Sequence, residues 1–182
     1  MSLPLNDEYS PEDLERMCGT QFGRSALLKM YAQDVRLMPH YYDTYIGDIP
    51  VLEWTSCKFM DPDADIPDKQ GVYAFSIQFD NGILPSNSYI MYIGKGGELG
   101  NESSILKRYR SYTKYQEEPC DRPKLHALFN YWKGHITYSY AVTPTGISPG
   151  DVEKRLNNIF QPPYSHMDYT AEVKLDRRGA NL

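Results

Sequence analysis

Hydrophobic and polar positions fall into a clear order only in the second part of the chain. Gly71–Phe79 (GVYAFSIQF) alternates and is rich in β-forming residues, which predicts a strand. Asp80-Asn81-Gly82 is a turn signal, and Ser88–Gly94 (SYIMYIG) reads as a second strand, so the two predict a hairpin with a long loop through Pro85. Ser103 or Ser104 caps a helix through Tyr115 that carries Ile105, Tyr109 and Tyr112 on one stripe. Asp121 caps the next helix, with Leu125, Leu128, Phe129 and Trp132 at helical spacing, and Gly134 closes it. Ile136, Tyr138, Tyr140 and Val142 alternate along a third strand. Ser148-Pro149-Gly150-Asp151 opens a last helix, whose buried face is Val152, Leu156, Ile159 and Phe160, and Pro162-Pro163 stops it. The predicted class is α/β (α+β), a small three-stranded sheet flanked by helices in the order β-β-α-α-β-α.

Residues 1–65 carry weaker signals. Ser10-Pro11-Glu12-Asp13 looks like a helix start that runs to Gly19, and a second helical stretch covers about Ser25–Val35. His40–Trp54 mixes aromatics, prolines and glycine without a period. The run from Asp61 to Asp68 reads as a loop. Its alternating aspartates lack the later glutamate of a calcium loop, so a solvated turn is the expectation. The domain reading is a partly helical, acidic extension over 1–65, a compact domain over 66–170 and a tail over 171–182.

The chain has 182 residues and a net charge of -5, which on the sum alone argues against a nucleic-acid partner. The distribution changes that picture. Residues 1–70 hold 6 basic and 13 acidic residues, whereas 103–133 hold 7 basic and 3 acidic. A basic patch therefore sits in a mildly basic body. The 16 tyrosines suit a surface or pocket that binds something through apolar area with a polar tip. Cys18, Cys57 and Cys120 are scattered, with no zinc-ligand spacing, so free thiols in a reducing compartment are expected. Neither a membrane-spanning run nor a signal-peptide pattern stands in the sequence, and the expected location is cytoplasmic.

Polar groups on four of these elements stand where they can converge: Tyr73 on the first strand, Tyr92 on the second, Arg108 and Tyr112 one turn apart on the first helix, and Glu153 on the last helix with Asn157 at i+4. Gly71-Val72-Tyr73 followed by Tyr92-Ile93-Gly94 resembles the signature of the GIY-YIG nuclease family. Lys95, then Leu106-Lys107-Arg108-Tyr109-Arg110-Ser111-Tyr112, is similar to the nuclease domain of the excinuclease subunit that incises damaged DNA. Glu153-Lys154-Arg155-Leu156 with Phe160 and Pro162 resembles the family's final helix. The resemblance covers about residues 66–170, with a longer hairpin loop, an insertion at about Gly96–Ser103, and Ser165 at the place where the family usually has an asparagine.

The resemblance implies a metal-dependent endonuclease that hydrolyses DNA phosphodiester bonds, in a small form like the family's restriction enzymes. It implies that Glu153 holds one Mg²⁺ (or Mn²⁺), and that Arg108 binds the non-bridging phosphate oxygens. Tyr73 would act as general base or orient the water, with Lys95 beside it to lower its pKa, while Tyr92 and Tyr112 complete the hydrogen-bond shell. Lys107, Arg110, Lys114, Ser165 and His166 would contact DNA, double-stranded in the first instance. A homodimer is implied if both strands are cut. The alternative is a catalytically weakened or inactive member of the fold that binds nucleic acid or protein, an alternative that Ser165 motivates. His126 and His135 read as structural or surface residues, and the sequence offers His40 no partner.

Overall fold

The computed structural model describes residues 38–79, 85–115, 123–165 and 169–180, together with a few isolated positions. The chain divides into two compact units, Met1–Asp34 and Val35–Leu182. The helices expected at Ser10–Gly19 and Ser25–Val35, the turn at Asp80–Gly82, the cap at Asp121, and Cys18, Cys120 and His166 lie outside the described residues, isolated positions aside.

The second unit contains, in order, α1 (Pro39–Tyr45), β1 (Thr55–Lys58), β2 (Gly71–Phe79), β3 (Asn87–Gly96), α2 (Ile105–Lys114), α3 (Pro123–Tyr131), β4 (Ile136–Val142), α4 (Pro149–Phe160) and α5 (Ala171–Gly179). The class is mixed α/β, as the alternation predicts. The strands form one sheet of order β1-β4-β2-β3, and every pairing is antiparallel. The sheet thus has four strands where three were expected. The added one, β1, comes from the stretch assigned to the N-terminal extension. Its four residues pair with Thr137–Tyr140 of β4, and its mostly exposed side chains leave no apolar alternation to read. The tail beyond residue 170 likewise holds a helix, α5, capped by the Thr170 hydroxyl, which accepts from the Val173 amide.

Alternation across β2 separates two cores. Tyr73, Phe75 and Ile77 face one side, where they pack with Ile105, Tyr109 and Tyr112 of α2 and Leu125, Leu128 and Phe129 of α3. Val72 and Ala74 face the other side, with Ile93 of β3, Ala141 of β4, and Val152 and Leu156 of α4. A bulge between Phe75 and Ser76 shifts the register, pairing Phe75 with Tyr92 and Ser76 with Ile90. Behind α4, Tyr41 of α1 packs with Tyr169 and Val173, and its phenol donates to the Asp176 carboxylate at 2.6 Å.

The first core is largely aromatic. Phe75 meets Phe59, Tyr112 and Phe129 edge to face, with centroids 5.0–5.2 Å apart, arrangements that add roughly 0.5–1.5 kcal/mol per pair beyond burial. Phe59 and the Met60 amide, which donates to the Tyr109 phenol at 3.0 Å, anchor the segment after β1 onto this core. The aspartate run is an exposed turn in which Asp61 accepts from the Asp63 amide at 3.0 Å.

The buried Tyr138 hydroxyl in this core has no partner among the described residues. A buried orphan hydroxyl costs about 1–3 kcal/mol. Tyr138→Phe is therefore expected to leave stability unchanged or raise it by about 1 kcal/mol, measured as the urea midpoint. A loss of more than about 2 kcal/mol, the size of a broken buried hydrogen bond, would show that the hydroxyl has a partner in solution.

Candidate functional site

Three of the tyrosines singled out in the sequence meet. Tyr73 of β2 and Tyr112 of α2 share a hydrogen bond between their hydroxyls at 2.8 Å, and the Tyr112 hydroxyl lies 3.4 Å from that of Tyr92 on β3. The register explains the meeting. Tyr73 pairs with Gly94 and Phe75 with Tyr92, so the Tyr73 and Tyr92 rings rise on the same face of the hairpin. Gly94 is required there, because a Cβ at that position would stand 2.5 Å from the Tyr73 hydroxyl oxygen. Tyr112 comes down from α2 along the buried stripe that the sequence predicts, and the Ser104 hydroxyl caps this helix by accepting from the Lys107 amide.

The trio is sealed. Tyr73 is 1% exposed, Tyr112 2% and Tyr92 8%. Burial, reinforced by the neighbouring phenols Tyr112 and Tyr92, pushes the Tyr73 phenol well above its ordinary pKa. A phenol so placed stays neutral near pH 7. It can pass or receive a hydrogen bond and hold a neighbour in position.

The expected pairing of Lys95 with Tyr73 is not present, and strand geometry is the reason. Lys95 pairs with Val72, whose side chain belongs to the α4 face, while Tyr73 points to the α2 face. Two residues one register step apart project through opposite sides of a sheet. Lys95 instead makes an ion pair at 2.7 Å with Glu98, a residue of the insertion that the sequence reading did not single out. Glu98 also accepts from the Ser148 hydroxyl at 2.8 Å and from the Leu99 amide at 3.1 Å. The hydrogen bonds from Lys95 and Ser148 hold its carboxyl down at about 2. The signal available in the sequence was an opposite charge three residues after Lys95, across Gly96-Gly97.

Arg108 is exposed on α2, one turn before Tyr112, and its guanidinium has no hydrogen bond or ion pair among the described residues. Arg110 and Lys114 are exposed on the same helix, and Lys107 donates to the Glu102 carbonyl at 2.6 Å. Glu153 is half-buried on α4. Val152 and Leu156 of α4 pack on the sheet face opposite α2. One turn beyond Glu153, Asn157 is fully buried, and neither polar atom of its side-chain amide has a partner among the described residues.

Ser165, expected to contact DNA, is a structural residue. It is 1% exposed, its hydroxyl oxygen accepts from the Ile93 amide at 3.0 Å, and the hydroxyl donates to the Ile93 carbonyl at 3.2 Å. With the Tyr164 amide, which donates to the Met91 carbonyl at 3.0 Å, it covers part of the open edge of β3. His126 contacts the Tyr115 carbonyl at 2.7 Å, a structural position as expected. Cys57 is a free thiol. A cleft of about 320 Å³ between Gly47–Pro50 and Gly146–Arg155 contains none of the expected site residues. No helix among the described residues is long and apolar enough to cross a membrane.

Compared with protein-family models, with curated proteins and with solved structures, the chain has no significant match.

The depressed Glu98 carboxyl sets an acid limit. Its contribution to stability is fully present above its ordinary value of 4.5 and is lost as pH falls through about 2. The melting temperature of wild type should exceed that of Glu98→Gln at pH 6, and the gap should close between pH 4.5 and 2. A gap that is independent of pH would mean that the charge of Glu98 has no part in its contacts.

Proposed function

We propose that the chain is a metal-dependent endonuclease that hydrolyses phosphodiester bonds of double-stranded DNA, of the restriction-like kind, and that it works as a homodimer. The observation that carries this reading is the meeting of Tyr73, Tyr92 and Tyr112 from β2, β3 and α2. These residues belong to the motif pieces on which the resemblance to GIY-YIG nucleases rests, and they come together from three separate elements.

The roles differ from those in the simplest form of the chemistry. Arg108, exposed and without a side-chain partner among the described residues, binds the non-bridging oxygens and stabilises charge in the transition state. Lys107, Arg110 and Lys114 bind flanking phosphates. Tyr73, held neutral by its burial, is a positioning residue: it fixes the hydroxyl of Tyr112, and through it that of Tyr92. Glu153 and the orphaned Asn157 amide, one turn apart on α4, offer hard oxygen donors of the type that Mg²⁺ or Mn²⁺ prefers. Glu153 and Asn157 would hold such an ion, which would supply polarisation of the phosphate and stabilisation of the leaving oxygen. β3 sends Tyr92 to one face and Lys95 to the other, three residues apart. A substrate reaching both sets of groups therefore lies across the end of this edge strand.

A second reading is a nucleic-acid-binding or protein-interaction module that keeps the fold but has lost catalysis. Ser165 favours it, since its hydroxyl is spent on the Ile93 backbone, as does the neutralisation of Lys95 by Glu98.

Cleavage of supercoiled plasmid with Mg²⁺, Mn²⁺ or EDTA tests the proposal. Metal-dependent nicking is expected, and Glu153→Ala and Arg108→Ala should each lower the rate by about 10²-fold or more. Tyr73→Phe should cost roughly 10-fold or less, as expected for loss of one positioning hydrogen bond, and should leave the pH profile unchanged. A Tyr73→Phe loss as deep as that of Glu153→Ala, with the pH profile altered, would make Tyr73 the general base after all. DNA binding without cutting of plasmid, single-stranded, branched or RNA substrates would favour the second reading.

A further inference from the structure

The Lys95–Glu98 pair lies on the α4 face of β3, the face that also carries Glu153. Its geometry is that of a cation already holding an anion. The Glu98 carboxylate takes one hydrogen bond from Lys95, one from the Ser148 hydroxyl and one from the Leu99 amide, and it lies against the backbone of α4 at Gly150. A Cβ on Gly150 would collide with this carboxylate and stand 2.7 Å from the Lys95 ammonium.

Two observations argue that the carboxylate is more than a structural tie. First, the loop that carries Glu98 is fixed without it. The Gln70 side-chain amide donates to the carbonyls of Glu98 at 2.6 Å and Asn101 at 2.8 Å, and the Asn101 side chain accepts from the amides of Glu98 at 3.1 Å and Ser103 at 3.0 Å. Second, the side chains of Lys95 and Glu98 are 35% and 31% exposed, so water and solutes reach the pair. The contact is therefore open to exchange, and the place of the loop in the fold is kept by other bonds.

We infer that Glu98 is an autoinhibitory latch, an internal carboxylate that occupies Lys95 and the Ser148 hydroxyl until a phosphate group displaces it. The part of the inference that concerns DNA rests on the nuclease reading above; the exchange of carboxylate for phosphate does not. A phosphate carries more charge and more acceptor oxygens than a carboxylate, and it meets the same two donors. The insertion at Gly96–Ser103 then lowers the affinity for short or weakly held phosphates and selects for substrates with enough other contacts, on Arg108 and the basic face of α2, to lift Glu98 away.

Titration with inorganic pyrophosphate, followed by calorimetry in EDTA, tests the latch directly in wild type, Glu98→Gln and the double variant Glu98→Gln/Lys95→Gln. The expected result is binding to Glu98→Gln at least several-fold tighter than to wild type, with the gain abolished in the double variant. Equal affinity for all three would overturn the latch and leave Glu98 as a structural tie. If Glu98→Gln does not fold, Glu98→Asp draws the carboxylate back from Lys95 while keeping both charges and the Ser148 donor, and an intermediate gain in pyrophosphate affinity is expected; no gain would overturn the latch. The same proteins with a labelled DNA duplex separate this inference from the nuclease reading. Tighter duplex binding by Glu98→Gln, with a salt dependence steeper by about one counterion, supports both. A pyrophosphate gain with no duplex binding by any variant keeps the latch and overturns the DNA reading.

Discussion

The contact between the ring of Tyr73 and the bare backbone of Gly94 fixes the geometry on which the candidate site depends. Antiparallel register sets the two residues opposite each other, and a Cβ on residue 94 would stand 2.5 Å from the phenol oxygen. With the glycine in place the ring lies over β3, and its hydroxyl reaches Tyr112 on α2. The same register assigns every other side chain of the hairpin. Tyr92 must join Tyr73, and Lys95 must leave through the opposite face. The tyrosine cluster and the solvent-accessible Lys95–Glu98 pair are two consequences of one pairing.

The division of the sheet into two faces also shapes the chemistry. On the α2 side, burial keeps phenols neutral and suits them to positioning. On the α4 side, Lys95 of β3 pairs with Glu98 of the loop that follows, and the buried Asn157 amide of α4 has no partner among the described residues. Lys95 leaves the hairpin on the face opposite Tyr73 and is engaged by Glu98, which is why a role for Lys95 as an electrostatic partner of Tyr73 does not survive the geometry. The Ser165 hydroxyl has a structural task, closing part of the edge of β3, and that task leaves it nothing to offer a ligand.

Much of the fold was legible because periodic burial wrote it into the sequence. The strands at β2, β3 and β4, the stripe of Ile105, Tyr109 and Tyr112, and the caps at Ser104 and Ser148 all follow from residues that face a core or end a helix. β1 and α5 were not legible for the converse reason. β1 is a short edge strand with exposed side chains, and α5 buries only Val173 while Leu175 faces outward. The convergence of Tyr73, Tyr92 and Tyr112 was foreseeable from the motif pieces. The engagement of Lys95 by Glu98 depended on the path of an insertion, and the commitment of Ser165 to Ile93 is a contact between residues 72 positions apart. Local pattern carries no record of the second and only the charge at i+3 as a sign of the first.

The most direct measurement is a crystal structure of the protein with Mn²⁺ and a phosphorothioate duplex that resists cleavage, with the metal located by its anomalous scattering. The account predicts a metal peak at the Glu153 carboxylate, beside Asn157, with a backbone phosphate of the duplex within reach of Arg108. A duplex bound elsewhere on the surface, with no metal at Glu153, would contradict it.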